Sequence, residues 1–336
     1  MRVTIKDVAN EAGVSVGTAS YAINGTGPVS EEKLKRVQEA VKKLGYVPNG
    51  IARSLQAQSN GVVGYFAYSL AGPFFGQVMR GIEDTFNVTQ EEMIACSCSS
   101  VKKKVTRFLR ERMVDGAIIF GEHLEDDLIT RIAGPNCPVV VMDRELTGAH
   151  ISSVTIDNEK CAYEVGEYIH RLGFRNVGCV IGKGPDGIRR DRGFRRAVRE
   201  FGLNLPEDWV LQGEFVYATA REQMLEHLET NPEMPEVIFA FNDEMAFGVM
   251  SALTERGYRI PEDVSVIGMD DLPQASISIP KLTTYHQPIY EHGVQAAQTL
   301  QNMLRDSAHG TAVVLPGYMV ERESCRRVTK NSEDIK

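Results

Sequence analysis

A chain of 336 residues, 43% hydrophobic and 24% charged, is long enough for two to three domains and has the composition of an ordinary folded protein. Its net charge of −8 is the wrong sign for a nucleic-acid binder taken whole, yet residues 1–60 hold eight lysines and arginines against five acids, a surplus of three that leaves −11 for the rest. A mildly basic end on an acidic body concentrates the positive field there, and so weak a surplus implies that two copies must act together on a polyanion. The N-terminus has no signal-peptide run and no apolar stretch approaches the roughly 18 residues of a membrane span, so the chain is read as soluble and cytoplasmic. Cys96, Cys98, Cys137, Cys161, Cys179 and Cys325 are scattered without a CxxC pair, and no histidine cluster has ligand spacing. They read as buried small hydrophobes in a reducing compartment, with no structural metal and no cofactor. Cys96 and Cys98 alternate within one apparent strand, so their thiols should share a face.

Thr4 is a good helix N-cap and Asp7 can return a bond to it. Ile5, Val8, Ala9 and Ala12 then fall on one helical face, and Gly13 ends the helix. Ser15 caps a second helix that runs to about Ile23, where Asn24-Gly25 breaks it. Ser30 opens a third, with Leu34, Val37, Val41 and Leu44 as the expected buried stripe and Gly45 as the stop. The first two helices, joined around Gly13-Val14-Ser15, have helix-turn-helix spacing. In such a motif the start of the second helix reaches base edges. Val16, Gly17 and Tyr21 should face outward, and Ala19 and Ala22 inward.

The order TIKDVA, AGVS, a serine-rich second helix, VSEE and GYVPNGIARSL resembles the head of the lactose-repressor (LacI) family, almost without gaps over residues 3–55. The likeness continues to about residue 328. It implies a hinge helix in the ARSL segment that folds when two protomers meet on an operator. Leu55 would be the apolar wedge in the minor groove, and Ala52 small enough for close approach. Gly17 has no side chain to read a base and Val16 offers only a methyl contact, so direct readout is thin. Thr4, Ser15, Thr18, Asn24, Tyr46 and Asn49 suit phosphate contacts, which position without specifying.

From Gly61 onward short apolar runs alternate with amphipathic helices. The runs are Val62–Tyr68, Ile94–Cys98, Gly116–Phe120, Val139–Met142, Val177–Ile181, Val210–Leu211, Val237–Phe241 and Val264–Met269. Helices are expected near 74–87, 100–113, 124–133, 159–172, 189–202, 219–230, 243–257 and 288–305. The fold class is therefore an all-α helix-turn-helix head plus an α/β body of two doubly wound parallel-sheet lobes. The expected domains are 1–48 for the head, 49–59 for hinge and linker, and 60–330 for the body. Its lobes would be about 60–157 with 287–318, and 158–286 with 319–330.

In such sheets ligands bind beyond the carboxyl ends of the strands. The residues there are aromatics, carboxylates, carboxamides and guanidinium forks, which suit a sugar's hydroxyls and C–H faces. The body resembles the periplasmic sugar-binding-protein fold of LacI-family regulators. By that resemblance Phe74 and Phe75 are stacking walls, Asp143 and Arg144 a hydroxyl-binding pair, and Arg190 an inward-facing fork. Asn242, Asp270 and Gln287 complete a polar ring, with Phe215 a third aromatic. Gly72 replaces a family asparagine, which argues against a close pentose fit and leaves room for a larger sugar. Asp243 is read as a helix cap, Arg189 and Arg192 as surface or interface charges, Phe194 as core, and Asp271 is left unassigned.

The leading reading is a homodimeric regulator that represses at a pseudo-palindromic double-stranded DNA operator under control of a small-molecule effector, a carbohydrate. The polar tail Lys330–Lys336 lacks the leucine heptads of a tetramer. A transport-type binding protein fits poorly with the DNA head and the missing signal peptide. An enzyme is read out by the lack of a nucleophile elbow, a dinucleotide fingerprint, a P-loop or a partnered acid-base histidine; Lys183–Gly187 is glycine-rich without phosphate-loop spacing and is read as a plain loop. Within the regulator class the alternative is control by a phosphorylated carrier protein or a non-sugar effector.

Overall fold

The computed structural model describes residues 3–25, 27–47, 61–89, 91–97, 102–121, 124–231, 233–306 and 310–328. Asn49, Ala52, Leu55, the hinge at 49–59, Cys98 and the tail at 330–336 lie outside the described residues. The chain divides into two compact units, Met1–Val62 and Val63–Lys336.

The first unit holds α1 (Ile5–Ala12), α2 (Val16–Asn24) and α3 (Glu31–Leu44). Asp7 caps α1 by accepting from the Thr4 backbone N–H at 2.8 Å and the Thr4 hydroxyl at 2.7 Å. Ser15 Oγ accepts from Thr18 N–H at 3.1 Å and starts α2. Val8, Ala12, Val37 and Ala40 form the buried centre, with Ala22, Val41, Leu44 and Tyr46 packed around it. Leu34, expected in the α3 stripe, is only half-buried, and Ala40 takes that place. Arg36 stitches α3 to the turn by donating to the Ala12 and Gly13 carbonyls.

The second unit contains two six-stranded sheets. The first runs β11-β5-β4-β3-β1-β2, from β1 (Val62–Ala67), β2 (Glu92–Ser97), β3 (Gly116–Phe120), β4 (Val139–Met142), β5 (Ile151–Ile156) and β11 (Ala312–Leu315). The second runs β12-β10-β9-β8-β6-β7, from β6 (Val177–Ile181), β7 (Val210–Gln212), β8 (Val237–Ala240), β9 (Ser265–Asp270), β10 (Thr283–His286) and β12 (Tyr318–Val320). The β1/β3, β3/β4, β4/β5 and β5/β11 pairs are parallel, as are β6/β7, β6/β8, β8/β9 and β9/β10; β12 alone of these pairs antiparallel, with β10. The chain passes between the sheets after β5, after β10 and after β11.

The helices are α4 (Pro73–Thr89), α5 (Lys102–Arg110), α6 (Asp126–Ile132), α7 (Asn158–Arg171), α8 (Gly184–Phe201), α9 (Tyr217–Thr230), α10 (Asp243–Glu255) and α11 (Ile289–Asp306). No helix among the described residues is long and apolar enough to cross a membrane. Each sheet has its own core. Tyr65, Val78, Ile82, Phe86, Ile118, Val140 and Leu300 centre the first; Val165, Phe194, Val237, Phe239, Val249 and Ile267 centre the second. Phe194 is thus core, as read. The α4 and α11 helices touch through glycine. A Cβ on Gly81 would stand 2.2 Å from Tyr290 O, and one on Gly293 would stand 2.1 Å from Val78 O.

Two readings need correction. Lys183–Gly187 is no plain loop, because Gly184 opens α8 with Pro185 in its first turn, where proline's fixed φ suits a helix start. The missed strands β5, β10, β11 and β12 are short or polar. In β5, the Ile-Ser-Ser-Val-Thr-Ile sequence is buried throughout. Its Ser152 hydroxyl is satisfied by accepting from Thr311 N–H at 3.0 Å, so an apolar run was not required there.

Candidate functional site

The head presents its reading surface on α2. Val16 is 43% and Tyr21 49% exposed, Gly17 is exposed, and Ala19 is buried beneath them. Thr18 is half-buried, and its hydroxyl lies 2.9 Å from Ser15 Oγ. Tyr21 packs its ring against Gly27, where a Cβ would come within 2.8 Å. Asn24 donates to Ser20 Oγ at 3.3 Å, and Tyr46 is half-buried on the head core. Thr4 is exposed at the start of α1. These residues stay close through local bonds, and α2 offers a methyl, an aromatic ring and hydroxyls rather than long polar side chains.

In the body the carboxyl ends of both sheets meet at a small chamber of about 90 Å³. Eight of the nine residues singled out from the sequence line it: Phe74, Phe75, Asp143, Arg190, Phe215, Asn242, Asp270 and Gln287. Strand ends supply several of them. Asp143 follows β4, Asp270 ends β9 and Gln287 follows β10. Both aspartates adopt positive φ, 58° at Asp143 and 123° at Asp270, a strained turn that re-aims the side chain as the strand ends.

Arg190 is the hub. It is buried, and its Nε donates to Asn158 Oδ1 at 2.7 Å and its Nη2 to Gln287 Oε1 at 3.2 Å. Nη1 donates to the Phe241 carbonyl and lies 3.6 Å from Asp270 Oδ1. The guanidinium carbon sits 5.3 Å from the Phe215 ring centroid, within cation–π range. Most of the fork expected to face a ligand is therefore engaged by the protein, and Arg190 holds the polar ring together. Asp270 is buried and its Oδ1 receives no hydrogen bond. Burial pushes its carboxyl up to about 7; Arg190 opposes the shift, while Glu244 and Asp186 add to it. The Asp143 carboxyl is held well above the usual carboxylate range by burial and then by Asp186, with Arg190 and Arg189 opposing.

The aromatic residues of the chamber pack on one another as a wall. Tyr68 and Phe75 pack edge-to-face at 4.9 Å, Phe74 and Phe75 at 5.3 Å, and Phe75 and Phe120 at 5.5 Å between centroids.

Arg144 departs from its expected place. Its buried guanidinium turns away from the chamber, donating to Leu124 O at 2.7 Å, to Asp126 Oδ1 at 2.6 Å and to the Gly121 carbonyl. Those carbonyls follow β3 and precede α6, so Arg144 holds that connection in place. Beside the chamber it lines a second cavity of about 660 Å³ together with Leu124, Glu125, Arg189 and Val314. Asp143, Ile156 and Asn158 line both spaces. The larger one is within the usual range for ligand pockets, and the smaller is below it.

Asp243 is not the helix cap. Asn242 fills that role, its Oδ1 accepting from Met245 N–H at 2.9 Å. Asp243 is buried and accepts from Leu272 N–H at 2.7 Å and the Thr284 hydroxyl at 2.6 Å, tying α10 to β10. Arg189 bonds Asp186 at 3.1 Å, Arg192 is exposed beside Glu159 at 3.3 Å, and Asp271 pairs with Arg322 at 2.5 Å and His286 at 3.0 Å.

The chamber also recruits residues the sequence reading passed over: Tyr68, Phe120, Asn158, Asp186 and Glu244. Asn158 opens α7, Asp186 lies in the first turn of α8 and Glu244 in that of α10. First helical turns after strand ends were the available signal, since partial positive charge gathers there.

The profile described as "Bacterial regulatory proteins, lacI family" matches residues 4–49, and that of a "Periplasmic binding protein-like domain" matches residues 166–325. The HTH-type transcriptional repressor PurR of Vibrio cholerae serotype O1 (strain M66-2) is 34% identical over 335 residues, covering 98% of this chain and 99% of the relative. Among solved structures, a transcriptional regulator CelR–cellobiose complex superposes with a TM-score of 0.71 at 27% identity, over 96% of this chain and 100% of the other. A LacI family transcriptional regulator from Enterococcus faecium with bound ribose gives a TM-score of 0.70 at 28% identity, over 80% of this chain and 100% of the other.

Proposed function

This chain belongs to the LacI family of bacterial regulatory proteins and is a DNA-binding transcriptional regulator, and on that premise we propose that it represses as a dimer on a pseudo-palindromic operator under control of a carbohydrate effector bound in the body. The observation that carries the effector reading is the pairing, at the ends of two parallel sheets, of an aromatic wall with a buried polar ring. Sugars are recognised by this combination, because apolar C–H faces stack on rings while hydroxyls both donate and accept. Similar proteins with bound cellobiose and ribose are in accord with it. Gly72, among the lining residues, has nothing within 4 Å of where a Cβ would stand. The working division is head 1–48, hinge and linker 49–59, and a two-lobed body 60–330.

The head docks α2 in the major groove, with Val16, Gly17 and Tyr21 toward base edges and Thr4, Ser15, Thr18, Asn24, Tyr46 and Asn49 on phosphates. Leu55 wedges the central minor-groove step, with Ala52 beside it. Phe74, Phe75, Asp143, Arg190, Phe215, Asn242, Asp270 and Gln287 surround the effector, and its preference for one arrangement of the lobes sets operator affinity.

Selection of an operator from a random duplex pool with purified full-length protein should yield a pseudo-palindrome. Its affinity should fall steeply with salt, at a slope of about −0.9 per phosphate neutralised. Leu55→Ala should lose bend and affinity together. Binding by single protomers to half-sites would overturn the dimer reading. Calorimetry and operator binding with a panel of mono- and disaccharides test the effector; a panel with neither heat nor altered operator affinity would overturn the carbohydrate.

A further inference from the structure

Acidic side chains outnumber basic ones around the small chamber. Asp143, Asp186, Glu244 and Asp270 bring four carboxylates, and Arg190 is the one cation among its described lining residues. Two of the four have local support. Asp186 accepts from Asn158 Nδ2 at 3.2 Å and Arg189 Nη1 at 3.1 Å, and Asp186 and Glu244 each lie in the first turn of their own helix, where the macrodipole favours an anion. Asp143 and Asp270 stand instead at strand ends. Asp270 is 3% exposed, lines the chamber, and leaves Oδ1 without a hydrogen bond. Asn158, Phe241 and Gln287 take three of the five N–H donors of Arg190, so its guanidinium is held against the protein with one further donor on each terminal nitrogen. The same chamber is lined by the rings of Tyr68, Phe74, Phe75 and Phe120. Ring faces are electron-rich and attract cations. An anionic effector, such as a sugar phosphate, would meet four acidic side chains and a guanidinium largely engaged by the protein.

We propose that the effector carries a protonated amine, an amino sugar being the class that fits, with its ammonium on Asp270 Oδ1 and its apolar face on the Phe74–Phe75 wall. This rests on the reading of the chamber as the effector site and deepens it. An ammonium has three donors and no acceptor. It satisfies the orphaned oxygen, suits the surplus of acidic side chains and sits against the rings, whereas a neutral hydroxyl does only the first. Burial already pushes the Asp270 carboxyl up to about 7, so binding a cation near neutral pH draws a proton off it. Arg190, Glu244, Asp186 and Asp243 are the charged groups that bear on that proton.

The test is calorimetry on the full-length protein with matched D-glucose, D-glucosamine and N-acetyl-D-glucosamine, repeated with the galacto and manno sets. The expected result is at least tenfold tighter binding of the free amine in one configuration, with a heat that depends on the buffer's ionisation enthalpy. Asp270→Asn should abolish the amine preference. Glu244→Gln, at a half-buried position, should reduce it and serves if the first variant fails to fold. Equal or tighter binding of a neutral or N-acetylated sugar overturns the amine and leaves the carbohydrate reading standing. No binding across all three sets overturns the amino-sugar assignment, and the wider mono- and disaccharide panel then decides the carbohydrate reading separately.

Discussion

Arg190 Nη1 and Asp270 Oδ1 face one another at 3.6 Å, close enough to pair in charge and too far for a hydrogen bond. Asn158, Phe241 and Gln287 hold the guanidinium in place, and the backbone at φ 123° sets the carboxylate. The gap leaves a buried oxygen without a hydrogen bond. Breaking such a pair by removing the cation typically costs about 3–5 kcal/mol, because a buried charge is left alone.

The pair fixes a sign for pH dependence. Burial raises the Asp270 carboxyl to about 7 in the folded state, against an ordinary 3.8. A folded-state pKa above the unfolded one means that the native protein keeps a proton the unfolded chain has released. Stability from this group is therefore full below about pH 4 and declines as pH rises to about 7. A shift of this size is on the order of a few kcal/mol. Asp270→Asn cannot lose that proton. Urea unfolding at about pH 4.5 and 7.5 should show the variant gaining roughly 1–3 kcal/mol relative to the parent between the two conditions. Arg190, Glu244, Asp186 and Asp243 share the field, so parent and variant must be compared at matched pH. A difference that stays constant or moves the other way would sink the assignment.

Arg144 yields a contrasting expectation. Its donors go to the carbonyls of Gly121 and Leu124 and to Asp126. Arg144→Met should strip three charge-assisted bonds from a buried site and destabilise the body by roughly 3–5 kcal/mol. Effector affinity, measured where the variant is still folded, should change less than about threefold. A loss of effector binding above tenfold with unchanged stability would return Arg144 to the ligand.

The alternation of apolar runs with amphipathic helices made most of the architecture legible, because parallel strands buried on both faces must be apolar. It failed where a strand is polar and buried. Ser152 and Thr155 in β5 satisfy their hydroxyls internally, while the small Ser153 is buried with its hydroxyl unpartnered, so the strand carries no hydrophobic signal. Losing β5 hid Asn158, which follows it, and reading Lys183–Gly187 as loop hid Asp186. The rule that sites gather at strand ends pointed to seven of the chamber residues, and the family resemblance added Phe215, but the rule says nothing of side-chain direction. Arg144 and Asp143 are neighbours at one strand end, and only Asp143 lines the small chamber. Which of Asn242 and Asp243 caps α10 was equally undecidable from type, since both residues make good caps.

The head makes a prediction about its reading helix. Ser15 Oγ satisfies the Thr18 N–H at 3.1 Å, and losing such a cap costs about 1 kcal/mol. Ser15→Ala should speed amide exchange at Thr18 and its α2 neighbours, and lower operator affinity. At Gly17 an added Cβ meets only Ser15 Oγ, at 3.9 Å. Gly17→Ala should therefore slow exchange across α2, consistent with a gain of up to about 1 kcal/mol from replacing glycine in a helix. Faster exchange in Gly17→Ala would mean that the glycine is required by the backbone.

Two glycines on the first lobe separate close packing from mere helix propensity. A Cβ at Gly293 would stand 2.1 Å from the Val78 carbonyl oxygen and 3.1 Å from Ile82 N, both backbone atoms that no rotamer change can move. Gly293→Ala must push α11 away from α4 and loosen the core around Val78 and Ile82, at a cost of roughly 1–3 kcal/mol. Gly76 is also helical, in the second residue after Phe74, yet a Cβ there would meet nothing within 4 Å. Gly76→Ala should be neutral or stabilising by up to about 1 kcal/mol, since the unfolded chain loses freedom and the folded one gains no clash. Chemical denaturation of both variants beside the parent gives the comparison directly. Equal effects at the two positions would show that α4 and α11 do not approach as closely as described, because helix propensity alone treats both glycines alike.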